Sequence, residues 1–219
     1  MSLIKSQLTN LLINTNPQGS DEWKLARLGL ATGSRASDIL AKIKTGEAAK
    51  RRDYRIELVT ERLTGKFNED VYVSKEMQWG TQQEPFARMA YEEMKSCMVH
   101  ECGFVSAKDK MAGCSVDGFL EDQGMFGLYE SKCPKSSTHI AYLKDRRLPP
   151  DHEPQVTHNM YITGAQFSDF VSFDPRLPEN LQLFVIRVMR DESKMKAYEL
   201  ELMTFLAEVK ILENELRNM

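Results

Sequence analysis

Apolar residues recur at helical spacing early in the chain, alternate with polar ones through its middle, and return to helical spacing at its C-terminal end. Ser20 or Asp21 caps an expected helix through Trp23, Leu25 and Leu28, which Gly29 ends. Ser34 or Ser37 opens a second through Ile39 and Leu40. Residues 50–63 carry Ile56, Leu58, Val59 and Leu63 among charges, an amphipathic helix closed by Gly65. A long helix is expected over 74–96, with Met77, Phe86, Met89, Ala90 and Met94 as its apolar positions and a break or kink near Pro85. The middle reads as strands over 98–106, 112–115 and 125–133, with turns at Lys108-Asp109-Lys110 and Asp122-Gln123-Gly124. A helix over 155–163 follows the Pro149-Pro150 linker, and strands over 167–173 and 181–188 come next. Residues 191–218 close the chain as a helix of about seven turns, with Met195, Tyr198, Leu202, Phe205, Leu206, Val209, Leu212 and Leu216 along it. This order predicts an α/β fold with one mixed central sheet flanked by helices. Nothing marks a second domain, so 1–219 is expected to be one domain, with 1–20 as an N-terminal segment.

The 219 residues, 42% hydrophobic and 28% charged, suit a globular protein with a sizeable core. No apolar run is long enough for a membrane span, and the first 16 residues lack a signal-peptide core, so a cytoplasmic location is expected. Cys97, Cys102, Cys114 and Cys133 form no C-x-x-C pair, and the four histidines add no zinc-like spacing. They read as reduced thiols. A net charge of −3 is not that of a protein that simply coats DNA. It leaves room for local basic tracks, such as Lys42, Lys44, Lys50, Arg51, Arg52 and Arg55, which read equally as solvated surface.

One stretch changes the picture. Cys-Ser-Val-Asp117-Gly is followed, thirteen residues after the aspartate, by Glu130-Ser131-Lys132. On a strand, Glu130 and Lys132 share a face with Phe126 and Leu128, while Tyr129 and Ser131 occupy the other. Both faces carry bulk, so the strand looks central, and a Glu and a Lys there are costly unless they pair or serve a metal. Two carboxylates and the Ser131 carbonyl are the ligands a hard divalent cation prefers, and Lys132 beside them can orient or help deprotonate a water. On its own the spacing recurs by chance, and a turn aspartate with an exposed strand-end ion pair fits it too.

Further segments, in chain order, remove that ambiguity. Trp23-Lys24-Leu25-Ala26-Arg27-Leu28-Gly29 precedes Thr32-Gly33-Ser34; Trp79-Gly80-Thr81-Gln82-Gln83-Glu84 precedes Ala87-Arg88; and Gln155-Val156 and Phe173-Asp174-Pro175-Arg176 follow the E-x-K. Together these resemble the YqaJ-type viral recombination nucleases, the group of the phage lambda exonuclease within the PD-(D/E)XK superfamily. The resemblance implies a restriction-endonuclease-like fold. It also implies Mg²⁺-dependent (Mn²⁺ substituting) 5′-to-3′ digestion of one strand of duplex DNA from a 5′-phosphorylated end, leaving a 3′ tail. It implies catalytic roles for Asp117, Glu130, Lys132, Glu84 and Gln155, and metal ligation by Asp117, Glu130 and Ser131. Arg27, Ser34 and Lys44 fall at positions that bind the 5′ phosphate or the DNA, and Met77 at that of an apolar wedge separating the strands. A homotrimeric ring around DNA and a single-strand annealing partner are implied as well, in a phage or prophage setting. The chain departs from the pattern in Val116, where a proline is usual, in Thr138, and in Lys44, where arginine is usual. An endonuclease on the same fold, or a non-catalytic DNA-binding relative, are the competing readings.

Overall fold

The computed structural model describes residues 9, 11–67, 74–108 and 111–219. The elements are β1 (Leu11–Asn14), α1 (Asp21–Arg27), β2 (Ala31–Thr32), α2 (Ala36–Ile39), α3 (Ala49–Thr64), α4 (Lys75–Lys95), β3 (Phe104–Ala107), β4 (Ala112–Cys114), β5 (Gly118–Asp122), β6 (Met125–Lys132), α5 (Ser136–Asp145), α6 (Glu153–Thr163), β7 (Phe167–Phe173), β8 (Leu183–Met189) and α7 (Glu192–Arg217). Side chains set several boundaries. The hydroxyls of Ser20 and Ser74 accept from the N–H groups of Trp23 and Met77, and Asp191 accepts from Ser193 and Lys194. Gly65 ends α3 in the left-handed conformation.

The strands form two four-stranded sheets, ordered β1-β3-β4-β2 and β5-β6-β7-β8, rather than the single sheet expected. The cause sits between β4 and β5. Asp117 folds back so that its Oδ2 accepts from the N–H and the hydroxyl of Ser131, at 2.7 and 3.1 Å. A side chain thus takes the hydrogen bond that a strand neighbour would have taken. The β5–β6 hairpin turns at Gln123-Gly124, both at positive φ, as expected for that turn. β6 and β7 run parallel, joined by a crossover through α5 and α6, and β8 returns antiparallel.

β6 is buried on both faces, as its composition suggested. Phe126 and Leu128 enter the core shared with Tyr54 and Leu58 of α3, Val156 and Met160 of α6, and Leu202 and Phe205 of α7. Tyr129 packs on the opposite side with Tyr91, Leu120, Phe167 and Val171.

The pattern misjudged α4. Met77, Phe86, Met89 and Met94 are exposed, and only Ala87 and Tyr91 are buried. Pro85 does not break the helix; it removes the partner of the Thr81 carbonyl, and Thr81 borders open cavities. α5, β1, β2 and β5 were not foreseen. The two outer residues of the Lys108-Asp109-Lys110 turn region diverge in status: Lys108 is described, whereas Asp109 and Lys110, like residues 1–8, lie outside the described residues. The four cysteines are free thiols. No helix among the described residues is long and apolar enough to cross a membrane.

His158 on α6 is fully buried, with Nε2 2.9 Å from the Gly113 carbonyl and Nδ1 2.6 Å from the Tyr198 hydroxyl. The carbonyl can only accept, so Nε2 carries the proton and Nδ1 accepts from Tyr198. Burial pushes this imidazole down to about 4, against the opposing bond to Gly113. The unfolded chain takes up a proton near pH 6.5 that the folded chain refuses until about 4, so the contribution is whole above 6.5 and is lost as pH falls through that window. Relative to His158→Gln, the wild type should lose stability on the order of 3 kcal/mol between pH 7 and 4. Urea unfolding of both proteins across this range measures it; parallel pH profiles would refute the assignment.

Candidate active site

The last three residues of β6 bring the candidate groups to one place. Glu130 is almost wholly buried, and its carboxylate is held from three directions. Oε1 accepts from Lys132 Nζ and from Gln155 Nε2, each at 2.6 Å, and Oε2 accepts from Asn159 Nδ2 at 3.1 Å. Gln155 and Asn159 are four apart on α6 and so share a helix face. Burial pushes the Glu130 carboxyl up to about 7, with Lys132 opposing and Asp117 and Glu84 adding to the rise. Burial alone would lower Lys132, but Glu130, Asp117 and Glu84 outweigh it and hold the ammonium above its ordinary value. Lys132 is therefore a firmly cationic group, suited to orienting a water or offsetting negative charge.

Asp117 Oδ1 makes no hydrogen bond among the described residues, since both bonds from Ser131 go to Oδ2. Glu84, on α4, faces this cluster; burial and Asp117 raise its carboxyl while Lys132 lowers it. Two cavities meet here. A cleft of about 1010 Å³ is bordered by Met77, Trp79, Glu84, Lys132, Lys135 and Arg176. A smaller one of about 380 Å³ is bordered by Glu84, Arg88, Asp117, Tyr129 and Ser131. No group of three or more His, Cys, Asp or Glu arranged for a metal occurs among the described residues. The cation site on offer is instead two carboxylates with a backbone carbonyl. It fits a hard divalent ion: all donors are oxygen, Asp117 Oδ1 is unbonded, and Glu130 keeps an acceptor position on Oε2.

Arg27 and Ser34 lie apart from both cavities but are tied to the cluster. Arg27 lies 4.4 Å over the Trp23 ring, and Trp23 Nε1 donates to Ser115 Oγ at 2.9 Å, two residues before Asp117. Arg27 is half-buried, and its guanidinium makes no hydrogen bond or ion pair among the described residues. Burial lowers its guanidinium, with Tyr54, Glu61 and Glu57 pulling the other way. Ser34 follows Gly33, where a Cβ would fall 2.2 Å from Asn159 Oδ1. Met77 is exposed at the mouth of the larger cleft. Lys44 stands exposed in the loop between α2 and α3, and no described contact ties it to the others.

The reading of the chain missed Asn159, and its signal was the four-residue step from Gln155. It also missed His152, on the cleft wall 3.3 Å from the Tyr142 hydroxyl, which burial and Lys132 push down to about 4. The later Phe-Asp-Pro-Arg segment has a structural reason. Arg176 covers the Trp79 ring at 4.1 Å, pairs with fully buried Asp174, and donates to the Pro134 carbonyl at 2.9 Å. It clamps the start of α4 to the strand end that carries Lys132.

No match was found among curated protein sequences. Among solved structures, the alkaline exonuclease LHK-Exo of Laribacter hongkongensis superposes with a TM-score of 0.80 at 36% identity, over 91% of this chain and 97% of that one. LHK-Exo in complex with dAMP gives 0.82 at 37% identity, with the same coverage. A phage-related exonuclease from Haemophilus somnus 129PT shares the fold, with a TM-score of 0.62 at 11% identity over 85% of this chain and 96% of that one. The model of the YqaJ-like viral recombinase domain matches residues 22–166, which span Arg27, Glu84, Asp117, Glu130 and Gln155. Motif order, paired sheets and overall superposition agree, and the chain belongs to the YqaJ-like viral recombinase family.

Proposed function

We propose that this nuclease digests one strand of linear duplex DNA from a 5′-phosphorylated end, 5′ to 3′, and leaves 3′ single-stranded tails for recombination by strand annealing. The observation that carries the reading is the convergence of Asp117, Glu130 and Lys132 about the end of β6, with Lys132 bordering the larger cleft, Asp117 the smaller cavity and Glu130 buried behind them, in a chain of this family. Asp117, Glu130 and the Ser131 carbonyl would hold Mg²⁺, with Mn²⁺ able to substitute. Bound there, the ion would polarise the scissile phosphate and make an attacking water more acidic. Lys132 orients that water and offsets charge gathering on the phosphate; Glu84, across the cleft, supports the water and the cation. Gln155 fixes Glu130 through Oε1.

Arg27 and Ser34 take the 5′ phosphate. An unpaired, half-desolvated guanidinium braced on Trp23 offers a planar fork for a bidentate, charge-assisted grip. Lys44 contacts the DNA backbone farther out, and Met77 at the cleft mouth serves as the strand-separating wedge. The proposal extends to a homotrimeric ring around the duplex, with a single-strand annealing protein as partner, acting in the cytoplasm of a bacterial host. The exposed Phe86, Met89 and Met94 on α4 support a protein contact of some kind.

The test is digestion of linear duplex DNA with and without a 5′ phosphate, in Mg²⁺ and in chelator. Loss of the 5′ strand only, dependent on Mg²⁺ and favoured by the phosphate, is expected; end-independent cutting would instead make the protein an endonuclease. Lys132→Ala should lower the rate at least about 100-fold while DNA-end binding, read by fluorescence anisotropy, persists. Near-wild-type cleavage in that variant would remove Lys132 from the reaction. Arg27→Ala should reduce the preference for phosphorylated over unphosphorylated ends by about tenfold or more, the scale of a lost charge-assisted hydrogen bond. An unchanged preference would count against the pocket.

A further inference from the structure

Asn159 has no part in the reaction as proposed, yet it is among the most deeply buried polar residues of the chain. Its two amide atoms have opposite fates. Nδ2 donates to Glu130 Oε2, while Oδ1 is buried without any hydrogen-bond partner. An orphaned buried acceptor is a liability that folded proteins rarely keep. Its retention makes sense if the donor half of the same amide is needed.

The acceptor count on Glu130 shows why. An ionised carboxylate has about four lone-pair positions. Lys132 and Gln155 occupy Oε1, and Asn159 occupies one position on Oε2. The remaining position lies on the oxygen that Asn159 alone holds. A neutral amide is suited to this task, because it fixes the oxygen without a positive charge that would repel a cation.

The orphan oxygen points to a second contact. It faces Gly33, where an added Cβ would lie 2.2 Å from Oδ1 and 3.3 Å from Asn159 Cγ. Gly33 begins a short turn held in place through Thr32, whose N–H donates to the Tyr54 hydroxyl at 2.9 Å and whose Oγ1 is 3.4 Å from Ser34 Oγ. Any side chain at 33 would force Asn159 or the turn itself to shift.

We propose that Asn159 is a positioning residue: it holds the cation-facing oxygen of Glu130 and ties the Thr32-Gly33-Ser34 turn to that oxygen by packing on Gly33. The inference rests on the metal site described under Proposed function. A hydrogen-bonding partner of a ligand of this kind commonly changes metal affinity 10- to 100-fold.

Mn²⁺ binding by isothermal titration calorimetry on the whole protein tests it, beside the Mg²⁺ dependence of digestion. Asn159→Ala should bind Mn²⁺ about tenfold more weakly and need correspondingly more Mg²⁺ for half-maximal rate, while the rate at saturating Mg²⁺ returns toward wild type. Gly33→Ala should shift both quantities the same way. Thermal unfolding in chelator shows which variants are folded, and if Asn159→Ala is not, Gly33→Ala carries the test. Wild-type Mn²⁺ affinity in folded Asn159→Ala would overturn the positioning role and leave the proposed nuclease intact. Weakened Asn159→Ala with unaltered Gly33→Ala would overturn the tie to the turn. A wild-type protein that binds no Mn²⁺ and digests no DNA would overturn the metal site, and this inference with it.

Discussion

A carboxylate buried at the end of a central strand is the constraint on which this molecule depends. Taking a charge of that kind out of water costs several kcal/mol even after relaxation. Glu130 recovers the cost through one cation and two amides, all from residues the fold must deliver within hydrogen-bond reach. Lys132 comes from the same strand, two residues on, by the period of the strand itself. Gln155 and Asn159 come from α6, so the crossover joining β6 to β7 must lay that helix against the strand end. Burial pushes its carboxyl up to about 7, and the two amides hold it without adding charge.

The parts of the fold readable from the chain are those whose pattern is their own cause. The apolar runs of β6 and β7 reflect strands buried on both faces, and the stripe on α7 reflects the core it covers. The split into two sheets was not readable, because it arises from one side chain. Asp117 takes the Ser131 N–H, a contact across 14 positions that no local pattern encodes. α5 escaped notice for a related reason. It follows Pro134 with Ser, Ser and Thr, which favour caps over helix interiors, and His139 is its only fully buried residue. Among the candidate site residues, Asp117, Glu130 and Lys132 announce themselves by charge in an apolar setting. Asn159 does not, since its four-residue step from Gln155 acquires meaning only once that helix face is known to meet Glu130.

α4 shows how the same apolar residues can serve different ends. Its methionines and Phe86 look like a core-facing stripe, but the helix meets the sheet mainly through Ala87 and Tyr91. Tyr91 reaches Asp169, which is also held by Arg187, so the contact is anchored by a buried polar cluster as much as by apolar area. At the other end of the helix, the Arg176–Trp79 stack and the Arg176 bond to Pro134 fix the first turns over the cleft. Two separate polar anchors hold the helix and set Glu84 beside the cluster, while Phe86, Met89 and Met94 stay exposed among charged residues.

The same economy of contacts explains how groups outside the cavities can matter to what happens inside them. Arg27 and Ser34 do not border the cleft, yet a short path of contacts links each to a carboxylate of the cluster. The first step runs through Trp23 and Ser115 toward Asp117, and the second through Gly33 and Asn159 toward Glu130. Each path contains a rigid element, an indole in one and a glycine against an amide in the other. Packed interiors transmit small shifts instead of dissipating them. The 5′ phosphate proposed for Arg27 and Ser34 would thus sit at the start of two separate contact paths, one leading toward each carboxylate.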